Sequence, residues 1–146
     1  MAATDVLSVN KTKFDAGASG DNYLEQGDYQ GVVRHVYDTY VSAALETAST
    51  IKLINMPKGA KIRGIRIVHG AMGTSVTCKI GDSDDDDRYY ATGTDIAAIG
   101  QKDSILLAGV NYVIGTADGD DVILITTEAA TMDADETMKF IISYVM

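Results

Sequence analysis

The densest chemical grouping in the chain is the acidic run Asp82-Ser83-Asp84-Asp85-Asp86-Asp87, followed directly by Arg88. Calcium takes roughly six to eight oxygen ligands, and alternate aspartates on a loop can supply several of them. Asp82, Asp84 and Asp86 match the first three ligand spacings of an EF-hand, but the match then fails. Position 87 is Asp where that loop needs glycine, and Gly93 stands where its closing Glu belongs. The run is not an EF-hand. The simpler reading is a solvated turn between two strands, in which an Asp caps backbone N–H groups and Arg88 offsets part of the repulsion. The alternative is a calcium site on Asp82, Asp84 and Asp86. Asp118, Asp120 and Asp121 could join it only if the two acidic turns meet at one end of the fold.

Nucleophilic catalysis needs a nucleophile, a base and an orienting group. The two histidines, His35 and His69, lie in no recognisable motif, and no G-x-S-x-G elbow occurs. Each reads as a strand side chain in a polar contact. Gly70-Ala71-Met72-Gly73 is turn chemistry without the Lys of a phosphate-binding loop. Cys78, the single cysteine, excludes an internal disulfide and falls among apolar residues, as a core thiol does. No catalytic residue, cofactor or enzymatic activity is expected.

Composition narrows the classes further. A chain of 146 residues with 46% hydrophobic content suits one domain with a substantial core. The formal net charge is −9, from 21 acidic and 12 basic side chains, and the basic residues are scattered except for Lys58, Lys61, Arg63 and Arg66. Nucleic-acid affinity rests on clustered cations against phosphates, so no nucleic-acid partner is expected. The opening MAATDVLSVNKTKFDAG lacks a basic stretch followed by an apolar one, and no run approaches the roughly 18 apolar residues of a membrane span. The expectation is a soluble protein with neither signal peptide nor membrane partner.

The elements that must position these residues differ along the chain. Residues 1–30 are rich in Gly, Ser, Asp and Asn and read as a flexible or extended N-terminal arm. From Val32 the texture becomes short apolar runs separated by Gly, Asp and Pro clusters, at 32–41, 50–56, 61–69, 75–80, 88–91, 105–114, 122–127 and 137–145. Val76, Cys78 and Ile80 alternate with Ser75, Thr77 and Lys79. Met138, Phe140, Ile142 and Tyr144 alternate with Lys139 and Ser143. A bulge at Gly64 would turn Ile62, Ile65 and Ile67 inward and Arg63 and Arg66 outward. The continuous apolar stretch 122–125 predicts a central strand covered on both faces, and only 42–48 and 94–99 suit short helices. Eight strands without a βαβ rhythm predict an all-β domain over 31–146, a single β-sandwich and most simply a jelly roll.

Eight Tyr, two Phe and no Trp make the aromatic content almost wholly tyrosine. Tyrosine pairs apolar area with a polar tip, which suits interfaces that also face water. The run 32–41 carries apolar groups on both parities, so it is expected either at the centre of a sheet or against another subunit. Tyr23, Tyr29, Val33, Tyr37 and Tyr40 are the candidate oligomer or capsid-interface residues.

The stretch 51–90 holds Leu53-Ile54-Asn55-Met56-Pro57-Lys58-Gly59-Ala60, then Val76 to Gly81-Asp82 and the acidic turn ending in Arg88-Tyr89-Tyr90. It resembles small structural proteins of tailed phages, in which an L-P-K-G-A-type turn feeds a strand and a later V-x-x-x-G-D strand enters an acidic turn ending in D-R-Y/F. The similarity covers roughly residues 50–146, and the Asp run here is longer than in that pattern. The resemblance implies a non-enzymatic decoration or cement protein. Such a protein is made in the host cytoplasm, binds the outer surface of the virion capsid through the major capsid protein, and associates with itself as a homotrimer or homodimer. The competing reading is a carbohydrate- or receptor-binding jelly-roll module of a phage fibre, against which the lack of Trp counts.

Overall fold

The computed structural model describes residues 31–115 and 121–146, and Val33–Met146 form one compact unit. The expected arm with Tyr23 and Tyr29 lies outside the described residues, as do Asp118 and Asp120.

Eight strands are found among the described residues: β1 (Arg34–Val41), β2 (Thr50–Met56), β3 (Lys61–His69), β4 (Thr77–Gly81), β5 (Tyr90–Asp95), β6 (Gly100–Lys102), β7 (Asp121–Glu128) and β8 (Thr137–Val145). They form two four-stranded sheets, ordered β1-β8-β3-β6 and β2-β7-β4-β5. All pairings are antiparallel, and four of them, β4 with β5, β3 with β6, β2 with β7 and β1 with β8, nest like the rungs of one long hairpin. The acidic run 82–87 is the tip of that hairpin. Pairing of β3 with β8 and of β4 with β7 closes the wrap. This is a jelly roll, the all-β sandwich expected.

The core lies between the sheets. Ile62, Ile65 and Ile67 of β3, Ile123 and Ile125 of β7, Cys78 and Ile80 of β4, and Met138, Phe140 and Ile142 of β8 are all buried there. Fully burying a side chain of this size contributes about 1.5–3 kcal/mol. The register of β3 against β8 shifts between Ile62 and Gly64, where the sequence places a bulge, and the isoleucines on both sides of it stay inside.

Four local expectations are corrected. Residues 105–114 are not a strand. The segment turns at Leu106 to Val110, with Gly109 and Val110 N–H both donating to the Leu106 carbonyl. Gly109 packs so closely on Tyr89 that a Cβ would come within 2.5 Å of its ring, and Asn111 takes a left-handed φ of 64°. The end of the segment ties back to the start of β3, with Asn111 and Ile114 N–H donating to the Ile62 and Ala60 carbonyls and Val113 in an isolated bridge with Lys61. The strand that completes the set is instead β6, Gly100–Lys102, too short for periodicity to reveal. Neither 42–48 nor 94–99 is helical. Both connect the two sheets, where tertiary contacts take their backbone groups: Ala48 N–H donates to the Thr127 carbonyl and Ile96 N–H to the Val76 carbonyl. Finally, β7 is central in its sheet but covered on one face, because Val122 and Leu124 are half-exposed.

Candidate functional site

At the hairpin tip, Asp82 organises the acidic turn. It is 1% exposed. Its Oδ1 accepts the N–H groups of Asp84 at 3.2 Å and Asp85 at 3.0 Å, and the Arg88 Nη2 at 3.3 Å. Its Oδ2 accepts Arg88 Nε at 2.6 Å and the Tyr89 hydroxyl at 3.1 Å. Burial works against the charge on Arg88, and the hydrogen bond and charge of Asp82 overcome it, raising the guanidinium above its ordinary range. The guanidinium also lies 3.7 Å over the ring of Tyr112. Burial, then the Asp82 charge, pushes the Tyr89 phenol well up, so it remains a donor. Gly81 is required beside this turn, since a Cβ there would come 2.0 Å from the Asp85 carbonyl oxygen.

The turn separates the calcium candidates. Asp82 and Asp84 lie with Asp121, one carboxylate oxygen of each within 4.8 Å of the others, so Asp121 reaches the acidic turn. Asp86 falls instead in a second group with Asp85 and Asp87, and its carboxylate is 2.6 Å from Lys79 Nζ. That hydrogen bond chiefly raises the Lys79 ammonium above its ordinary value. A carboxylate has about four lone-pair positions, and those of Asp82 are taken by protein donors. The arrangement does the work of a turn anchor.

The second site is the outer face of the β1-β8-β3-β6 sheet. His35, Tyr37, Thr39 and Val41 point outward from β1, while Val36, Asp38 and Tyr40 turn towards the core side. Register places His35 beside Ser143 and Tyr37 beside Ile141, then Ile141 beside Arg66. These side chains surround an open groove of about 340 Å³ that Gly64 and Ile65 also line. Arg66 holds Asp103 at 3.7 Å, and Val68 and Lys139 extend the face. The result is an amphipathic surface with cations at its margin. Tyr37 is 71% exposed and Val41 57%.

Of the candidate interface residues, the structure thus presents Val33 and Tyr37 outward, whereas Tyr40 packs against the core. Arg66 faces outward as the bulge at Gly64 predicts, whereas Ile141 was not singled out by periodicity. Its signal is the break in alternation, an apolar residue on the polar parity of β8.

His35 Nδ1 lies 3.0 Å from Ser143 Oγ. No carboxylate bonds the remaining ring nitrogen of His35 among the described residues, so the orienting group of a catalytic triad is missing there. His69 is buried, with Nδ1 donating to the Gly70 carbonyl at 2.9 Å. Burial above all pushes the Cys78 thiol up to about 12, which leaves it unreactive.

The fold is a compact jelly-roll sandwich with one amphipathic outer face. Among solved structures it is similar to a chain in a cyanophage capsid asymmetric unit, with 16% identity and a TM-score of 0.63 over 81% of this chain and 87% of that one. It is also similar to a chain in the capsid of a Ralstonia phage, with 16% identity and a TM-score of 0.68 over 80% of this chain and 85% of that one. No protein-family model and no curated protein sequence matches the chain.

Proposed function

We propose that the chain is a non-enzymatic structural protein of a phage virion that binds the outside of the capsid as a decoration or cement protein. It bridges subunits of the major capsid protein through the outer face of the β1-β8-β3-β6 sheet, and residues 1–30 add an arm that lies on a neighbour. The observation carrying this reading is that the jelly roll corresponds to 85–87% of chains found in two phage capsids, so the likeness is to nearly whole capsid components. The half-exposed Tyr37–Ile141–Arg66 surface supports it, because such a mix of aromatic, aliphatic and guanidinium groups suits a contact that forms from water.

A protein that binds only the assembled shell stabilises it by linkage. Purified chain added to undecorated capsids is expected to co-sediment with saturable stoichiometry and to raise the temperature at which the capsids release their contents. Tyr37→Ala combined with Arg66→Ala is expected to weaken that binding roughly tenfold or more. Capsids that neither bind the chain nor change in stability would sink the reading.

A further inference from the structure

β1 is the outermost strand of its sheet. It pairs with β8 on one side, and no described strand pairs with its other side. In an antiparallel ladder, alternate residues direct their N–H and C=O groups to opposite sides. Ser42 N–H donates to the Glu136 carbonyl at 2.8 Å, which assigns the even-numbered residues to β8. Thr39 N–H donates to the neighbouring Asp38 Oδ1 at 2.8 Å, so the odd-numbered His35, Tyr37 and Thr39 address the open edge. Over its eight residues β1 has no Pro, no Lys and no bulge against β8, three of the devices that protect an edge, and carries only the inward-turned Asp38.

We infer that this edge pairs with the same edge of a second copy, antiparallel across a two-fold axis at Val36. With the axis there, Val36 faces Val36, His35 faces Tyr37, and Arg34 faces Asp38 of the second copy, the last two pairs each occurring twice. Both members of the His35–Tyr37 and Val33–Thr39 pairs then turn their backbone groups to each other, as a hydrogen-bonded ladder needs. Among registers that satisfy this condition, an axis at Val36 brings the strand's two charges together, whereas one at Asp38 would set two carboxylates face to face. Arg34 is exposed and has no ion pair among the described residues. Asp38, which caps Thr39 N–H in the single chain, passes that donor to the Val33 carbonyl of the second copy and turns to its Arg34. The contact is isologous and closed, so it yields a dimer and not a fibre. The two four-stranded sheets become one of eight strands, with the Tyr37 faces continuous across the axis.

Sedimentation equilibrium of the full chain over a concentration series tests this pairing. A dimer is expected. Arg34→Asp and Asp38→Arg are each expected to raise its dissociation constant roughly tenfold or more, since each substitution removes two opposed charge pairs and creates two repulsive ones. The double variant R34D/D38R restores the pairs with reversed sign and should recover the dimer. Thr39→Pro removes an edge-facing N–H without touching the β8 ladder and should give a monomer with the parent circular dichroism spectrum. A chain monomeric at every concentration, or an oligomer indifferent to Thr39→Pro and to the charge swap, overturns the inference. Capsid co-sedimentation is scored separately, so a monomer that still binds capsids would remove the β1 pairing and leave the capsid reading standing.

Discussion

Asp82 and Arg88 sit six residues apart in sequence and 2.6 Å apart in space, one carboxylate holding a whole acidic turn in shape. Removing one partner of a buried pair leaves the other charge uncompensated, which costs far more than the pair contributes while intact. Arg88→Ala is therefore expected to destabilise the domain by about 3 kcal/mol or more, measured by urea unfolding. Because protein donors occupy Asp82, millimolar calcium and a chelator are expected to give the same melting temperature. A clear rise with calcium would contradict the anchor role. Cys78 and the phenols of Tyr89 and Tyr90 share one direction: each is raised, with burial the largest cause. At alkaline pH the unfolded chain loses these protons first, so it binds fewer protons than the native state and stability falls as pH rises. For Cys78 the loss begins near the ordinary thiol value and continues to about 12. Urea unfolding of the parent and of Cys78→Ala between neutral pH and pH 10 should show a shallower decline in the variant.

At the scale of elements, the long connections of a jelly roll must be tied to the sheets they cross. Residues 42–49 carry the chain from β1 to β2, and buried Thr127 of β7 holds them, its hydroxyl donating to the Glu46 carbonyl at 2.8 Å and accepting the Ser49 N–H at 3.1 Å. Thr127→Val keeps the shape and removes both bonds, leaving the Glu46 carbonyl and Ser49 N–H only the 3.3 Å bond between them, at an expected cost of about 1 kcal/mol in urea unfolding. The acidic turn has its own steric condition at Gly81. Gly81→Ala would drive a methyl into the Asp85 and Asp86 backbone, so it is expected to lose more stability than alanine substitution at Gly64, where nothing lies within 4 Å of the added carbon.

For the whole molecule, charge and surface are distributed unevenly. The acidic residues concentrate at the β4–β5 tip, while Arg66 and Lys139 flank the outer face that carries Tyr37 and Ile141. An acidic tip held in solvent and an amphipathic sheet face suit a module that lies on a protein surface with its tip pointing away. Under the proposed function, deleting residues 1–30 should leave a domain with a β-sheet spectrum and a cooperative melt, while weakening capsid co-sedimentation. Loss of the fold itself would contradict a separate arm.

Alternation of side chains was enough to reveal the β class, most strand positions, the bulge at Gly64 and the core thiol, because burial of one sheet face imposes period two on each strand separately. The same rule failed at 105–114, where an apolar run with Gly109 and Asn111 folds into turns, and at Gly100–Lys102, where three residues carry no period. Which strands become neighbours was not written locally. Pairing of β1 with β8 joins residues about a hundred positions apart, and only that closure places His35 beside Ser143 and Tyr37 beside Ile141, while pairing of β4 with β7 brings Asp121 to Asp82. Local composition thus determined what each strand buries, whereas the wrap of the long hairpin decided which side chains share a surface, since that depends on pairing between distant segments and not on any single one.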